Sequence, residues 1–323
     1  MNYFADLFYT KMASVSSALD LSTAKLYLSS QLEIDDVETK LARSSTPGVD
    51  RLSLLNEVLN AYLNHEPYHN LRMLMESSQD KSKYPDLETL IQNVLSLEGG
   101  MCIELNFFLA HLLAALGFNQ ELILASVAVP ELMNHALNIV RDVVEDGDCY
   151  LVEAGFALPS FGAIPLNFCE GETSEEKHQS DLIYRIALRD GVYIREHKIL
   201  PNKRVLFPLE KDGWTQAIFF KVQPCSLKNI EDDMNKTVYL DPDYHFKRRI
   251  FAMAYNNFKK IQLINNYLEV EDDEGNFVAT VLKTAEDIKE AIKKYFPRIP
   301  VASIDPAVDY WRKVREAGRE FNL

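Results

Sequence analysis

The feature that most constrains this chain is the run from Ile103 to Leu116, IELNFFLAHLLAAL, which is apolar almost all round. A helix without a polar face has to be buried on most of its sides. Other elements must therefore pack around it, and Gly117 offers its C-terminal stop. Gly99-Gly100-Met101-Cys102 leads into the run, so a cysteine stands at the start of the helix. That cysteine reads in two ways. Packed on a buried helix, it is a small hydrophobe. Held at a helix N-terminus, where unpaired N–H groups and the dipole favour the thiolate, it is a nucleophile. The glycines suit the second reading, because they let the backbone approach a substrate closely or adopt positive φ. A nearby N–H then serves as an oxyanion donor.

The rest of the chain supplies the surrounding elements. Apolar residues recur at helical spacing over residues 1–44, and Ser45-Thr46-Pro47-Gly48 interrupts them. Asp50 is read as the N-cap of DRLSLLNEVLNAYLNH, which Pro67 ends, and residues 84–96 read as helix again. After Gly117 the period changes. QELILASVAV, HALNIV, CYLVEAGF, DLIYRIAL, GVYIRE, WTQAIFFKVQP and NYLEV are short β-branched or aromatic stretches, with Asp146-Gly147 as a hairpin signal. The tail returns to helix in TAEDIKEAIKKYF, with Thr284 and Glu286-Asp287 at its start, and in DPAVDYWRKVREAGREF. Helices, then a mostly antiparallel sheet, then a mixed end make an α+β class. At 323 residues the chain is expected to form two or three packed modules.

Charge and cysteine usage exclude several functions. With 34 basic and 48 acidic residues the net charge is −14, and no Lys/Arg block provides the basic face of a nucleic-acid binder. The four cysteines show no metal-type spacing, and four in so long a chain suggest a reducing compartment. The N-terminal stretch, with Asp6 and Lys11 inside its apolar pattern, fits an amphipathic helix better than a signal peptide. No run of 18 apolar residues exists to span a membrane, so a cytoplasmic protein is expected. Residues 65–69, HEPYH, match the zinc-protease string H-E-x-x-H. Pro67 between the histidines breaks the helix that string requires, so a helix end and a turn are expected rather than a metal.

A cysteine nucleophile needs a base, and the base needs an orienting partner. Of the seven histidines, His111 lies nine residues beyond Cys102, about two and a half helical turns away. It is expected in the core or at its edge. His178 and His197 stand among charged residues and are expected to face solvent, while His245 follows a turn. His135 differs, because it opens the strand-like HALNIVRDV, which a Gly-containing turn joins to CYLVEAGF. In an antiparallel pair, His135 and Glu153 can point to the same face near one end. A carboxylate in the apolar stretch LVEAGF needs a partner, and an imidazole is a good one. Read singly, His135 is a strand-end histidine and Glu153 an outward-facing strand residue.

The string Glu98-Gly99-Gly100-Met101-Cys102-Ile103-Glu104-Leu105-Asn106 resembles R-G-G-x-C-x-E-x-N, the hallmark of the arylamine N-acetyltransferase family. His135 in NHALNIV matches that family's hairpin histidine, and YLVEAGFA, Tyr150–Ala157, matches its Y-x-V-D-x-G-F-G string. EPYHNL is a diverged match to P-F-E-N-L, and FFKVQPCSLKNIEDDMNKTVYLDPDYHF is similar to the segment that enters the family's last domain. The similarity covers roughly residues 50–297.

The resemblance implies a helical bundle over residues 1–118 carrying the nucleophile, an antiparallel β-barrel over 119–225 carrying His and Glu, and an α/β lid over 226–323. Such a fold is related to papain and transglutaminases. The implied reaction is ping-pong acetyl transfer from acetyl-CoA, the co-substrate, to an arylamine or hydrazine, with no metal, nucleic acid or membrane involved. Cys102 would be the nucleophile, His135 the base and Glu153 its orienter. Phe156 would line the acceptor pocket, and Glu104, Asn106, Gly99 and Gly100 would support the cysteine loop. The alternatives are a thiol amidase or transglutaminase-like enzyme with the same triad, and a non-catalytic interaction protein. Three positions depart from the family pattern: Glu153 replaces Asp, Glu98 replaces the Arg that holds the cysteine loop, and Ala157 replaces Gly.

Overall fold

In the computed structural model, residues 19–79, 89, 91, 95, 98–201, 207–223 and 225–320 are described. The expected helices over 1–44 and 84–96 therefore fall partly outside the described residues. Described helices are α1 (Leu21–Ser30), α2 (Val37–Arg43), α3 (Val49–His65), α4 (Leu71–Ser77), α5 (Cys102–Ala115), α6 (Leu227–Met234), α7 (Ala285–Tyr295) and α8 (Val301–Glu316). Strands β1 (Tyr68–His69), β2 (Asn119–Val127), β3 (His135–Arg141), β4 (Cys149–Val152), β5 (Ile164–Pro165), β6 (Lys177–Gln179) and β7 (Leu182–Arg189) come first. They are followed by β8 (Val192–Lys198), β9 (Glu210–Lys211), β10 (Trp214–Phe220), β11 (Phe251–Asn256), β12 (Lys259–Ile264), β13 (Tyr267–Glu271) and β14 (Phe277–Val281).

Two units of the chain are described in turn. The first comprises residues 1–60, 109–154 and 160–234, and the second 61–108, 155–159 and 235–323. In the first, nine antiparallel strands run in the order β5-β4-β3-β2-β10-β8-β7-β6, with β9 on β10. Strand β3 lies between β2 and β4, and His135–Val140 along it are all buried. This is why HALNIV is nearly continuous in apolar residues instead of alternating. The β3–β4 turn is built on Asp148, whose carboxylate accepts the N–H groups of Val143, Val144 and Glu145 at 2.7, 2.7 and 3.0 Å. Gly147 supplies the positive φ, 83°, that the turn demands. Asp50, expected to cap α3, lies inside its first turn instead. The helix starts at Val49, after Gly48 has donated its N–H to the Val143 carbonyl at 2.9 Å. An acid in the first turn still complements the helix dipole.

The second unit holds an antiparallel sheet of five strands, β1-β11-β12-β13-β14. Leu71 and Leu74 of α4 and Ile292 of α7 share a buried core with Trp311 of α8 and with Ile250 and Leu263 of the sheet region. Burying each such side chain contributes about 1.5–3 kcal/mol. Thr284 and Asp287 form a reciprocal capping box at the start of α7, where the sequence predicts a helix start. Of this sheet the sequence reading contains only NYLEV, now β13. Strands β11, β12 and β14 are additional. Their turns carry no glycine at the tips of the first two hairpins: Asn257 and Phe258, and then Asn265, adopt positive φ in its place. The fold is α+β, with helices at both ends of the described chain and antiparallel sheets between them.

Candidate active site

In the second unit the chain around Cys102 is held from several directions. Cys102 is the first residue of α5 and is 5% exposed. Met101 before it has no side-chain oxygen to offer the N–H groups of the first turn. Glu104, one turn on, reaches back and accepts the Met101 N–H at 3.0 Å, which is half of a capping box. Burial is the largest influence on Glu104 and holds its carboxyl above the ordinary range, while hydrogen bonds from the backbone and the Arg72 guanidinium pull the other way. Tyr239 donates to its second oxygen at 3.5 Å.

The two glycines before Cys102 are gripped by the segment Pro67–Arg72. The Gly100 N–H donates to the Pro67 carbonyl at 3.1 Å, and the His69 N–H donates to the Gly100 carbonyl at 2.8 Å. Gly99 has φ 65°, and a Cβ there would stand 2.1 Å from the Pro67 oxygen, so the position admits only glycine. A Cβ on Gly100 would lie 2.7 Å from that of Glu104. Gly155 closes the other side. A Cβ there would lie 2.4 Å from Asn106 Nδ2 and 2.7 Å from Cys102 Cα. The buried Phe156 follows directly. Tyr68 and Tyr244 are also close to the cysteine: burial first, and then the field of Cys102, push both phenols well up, so they stay protonated.

In the first unit His135 opens β3 and is paired with Glu153. His135 Nε2 and Glu153 Oε2 are 2.8 Å apart, with the two side chains 3% and 0% exposed. The ladder pairs Asn138 with Val152, so Glu153, just beyond the end of β4, falls near the start of β3. The segment before His135 is fixed as well. Asn134 Oδ1 accepts the Val127 N–H at 2.7 Å, and the Met133 N–H donates to Ser126 Oγ at 3.2 Å. Glu153 is followed two residues later by Gly155, which packs on the Cys102 backbone.

The remaining histidines are not where charge patterning alone put all of them. His178 is exposed, but His197 is buried, which corrects the expectation of a solvent-facing residue. Its neighbours Arg195 and Glu196 are themselves buried: the Arg195 Nε donates to His197 Nε2 at 3.0 Å, and Glu196 pairs with Arg185 and Arg189. Phe207 sets its edge against the His197 ring. His111 is in the core, as read, and burial lowers it to about 4. His65 ends α3 while His69 lies in β1, so the zinc-protease string does not put both on one helix face. Among the described residues no group of three or more His, Cys, Asp or Glu is placed to hold a metal ion. No described helix is long and apolar enough to cross a membrane.

Among the contributors outside the expected set are Arg72 and His69. His69 sits in the string that drew attention for zinc. Its Nδ1 accepts the Leu71 N–H at 3.2 Å, so Nε2 carries the hydrogen and donates it to the Glu98 carbonyl at 2.6 Å. The Arg72 guanidinium is paired with the Glu98 carboxylate.

A family model described as N-acetyltransferase matches residues 51–303 of this chain. Arylamine N-acetyltransferase 2 of Macaca mulatta is 22% identical over 263 residues, covering 76% of this chain and 87% of that protein. The solved arylamine N-acetyltransferase of Mycobacterium marinum aligns with a TM-score of 0.71 at 19% identity, covering 91% of this chain and 99% of that one. A structure of the M. marinum enzyme in complex with CoA aligns at 0.67 and 19% identity, over 87% and 99%. These structures share the fold described above, and the family match extends from α3 into α8. The chain belongs to the N-acetyltransferase family, whose members are acyltransferases.

Proposed function

We propose that the protein transfers acetyl groups from acetyl-CoA to arylamine or hydrazine nitrogens by way of an acetylated Cys102. The observation that carries this reading is the buried His135–Glu153 bond at 2.8 Å. A buried carboxylate on one imidazole nitrogen fixes the ring and its tautomer, and stabilises the imidazolium that forms during proton transfer. With Nε2 engaged by Glu153, Nδ1 is assigned the thiol proton.

In the first half-reaction His135 takes the proton of Cys102 Sγ. The sulfur attacks the thioester carbonyl, the carbon–sulfur bond to CoA breaks, and the departing thiolate receives the proton. In the second half the amine nitrogen attacks the acetyl-cysteine. His135 takes a proton from that nitrogen and returns it to Sγ as the amide forms. A thioester is an activated donor, so exchange with a thiolate is nearly balanced. The site then has to form the thiolate and exclude water. N–H groups at the start of α5 serve the oxyanion. Gly99, Gly100, Glu104 and Asn106 keep the turn around Cys102 in place, and Phe156 lines the acceptor side. The CoA complex of the M. marinum enzyme supports the choice of donor.

The test is intact-mass spectrometry after incubation with acetyl-CoA. One acetyl adduct is expected on the wild-type chain and none on Cys102→Ala. An unmodified wild-type chain, or an adduct that survives in Cys102→Ala, would overturn the reading.

A further inference from the structure

We infer that Arg72 is a positioning residue for Cys102: through Glu98 it locks the Gly99-Gly100 strap, and through Glu104 it steadies the first turn of α5. The inference rests on the reading of Cys102 as the nucleophile. Two consecutive glycines are the least constrained link a chain can have, yet only Met101 separates them from Cys102. One short segment, Pro67–Arg72, holds them in place. Pro67 takes the Gly100 N–H, and His69 grips the Gly100 carbonyl with its backbone and the Glu98 carbonyl with its ring. Arg72 takes the Glu98 side chain.

The two side chains of this ion pair are 25% and 24% exposed. The pair is thus mostly shielded from water, and removing one partner leaves the other charge uncompensated beside the strap. Arg72 is also a cation whose field reaches the buried Glu104 and favours its ionised form. Without Arg72, the Glu98 carboxylate would lose its partner beside the strap, and Glu104 would be less able to hold the Met101 N–H as an anion. His69 completes the clamp as a neutral donor, since burial and then Arg72 lower it to about 3.

The test is the rate at which iodoacetamide alkylates Cys102, followed by peptide mass mapping at one neutral pH in Arg72→Gln, Glu98→Gln and the double variant. This reaction needs no acetyl donor, so its outcome is separate from that of the acetylation assay. Arg72→Gln is expected to slow alkylation by about tenfold to a hundredfold, the scale of a 1 Å misplacement. Adding Glu98→Gln to it should cause no further loss, because the carboxylate left behind by Arg72→Gln is then gone. Arg72→Lys, which keeps the charge but not the fork, should recover part of the rate. If Arg72→Gln does not fold, the same cycle is run from Arg72→Lys. Alkylation of Arg72→Gln at the wild-type rate, or losses that multiply in the double variant, would overturn the inference.

Discussion

At the scale of single residues, the two positions with the sharpest expectations are Glu153 and Gly155. Glu153 is fully buried, and its carboxylate is bonded to His135 at 2.8 Å. Glu153→Gln keeps the shape but lets the amide present its NH2 to the ring, favouring the wrong tautomer. The acetylation rate of Cys102 should fall by about 10³–10⁴, the loss that follows when a triad carboxylate becomes an amide. Glu153→Asp keeps the charge and shortens the reach by one methylene, so a loss of about a hundredfold or less is expected. Rapid-quench mass spectrometry on both variants distinguishes charge from reach, and equal rates for the two would refute the assignment. Gly155 is constrained by its neighbours. A methyl there would meet Asn106 Nδ2 at 2.4 Å and the Cys102 carbonyl oxygen at 2.6 Å, and one of these contacts is backbone. Gly155→Ala should therefore both lower the melting temperature and slow alkylation of Cys102. A variant that alkylates normally would show that the loop after Glu153 can move without disturbing the cysteine.

At the scale of elements, α5 is the most instructive, because a buried carboxyl group reaches back to its start. Burial raises the folded-state pKa of Glu104 above its unfolded value, despite the Met101 N–H and Arg72. The ionised carboxylate therefore destabilises the folded state at neutral pH. The penalty disappears below about pH 4.3, where the group is protonated folded and unfolded. Glu104→Gln removes the charge and keeps an oxygen for the Met101 N–H. It should melt above the wild type at neutral pH, with the gap closing as pH falls through the carboxylate range. A gap that widens in acid would reverse the sign and refute the account. The same helix shows what a sequence displays and what it hides. Its all-round apolar pattern and its glycine-led cysteine are written in consecutive residues, and so is the order in which His135 and Glu153 follow. The partner of Glu98 is not, because Arg72 lies 26 residues away and only tertiary structure brings it near. Nor is the burial of His197, since charged neighbours signal solvent until Arg195 and Glu196 are seen to be buried and partnered. Strands β11 and β12 escape notice for a related reason: Asn257, Phe258 and Asn265 do the work a glycine usually announces.

At the scale of the whole molecule, a group of histidines held neutral sets the response to acid. Burial, and after it Arg72, lowers His69 to about 3. Burial, then Arg249 and Arg248, lowers His245 to about 3, and burial lowers His111 to about 4. His197 is held well below its ordinary value by burial and then by Arg195. A histidine whose folded pKa is depressed supports the fold above its unfolded pKa, about 6.5, and loses that support as pH falls toward the folded pKa. Over that interval the unfolded chain binds a proton that the folded chain refuses. Each histidine then makes stability fall by about 1.4 kcal/mol per pH unit, and the four together set an upper bound of about four protons taken up on unfolding. His69 and His245 belong to the second unit, and His111 and His197 to the first, so acid weakens both. Melting temperature should drop steadily from about pH 6.5 toward about pH 4, well before the bulk of the carboxylates protonate. Calorimetric unfolding across that range measures the proton uptake directly. Substituting His197→Gln should remove about one proton from it, because the group that refused the proton is gone. A melting temperature that stays level from about pH 6.5 to about pH 4, or an uptake unchanged in His197→Gln, would show that these histidines are not held neutral by the fold.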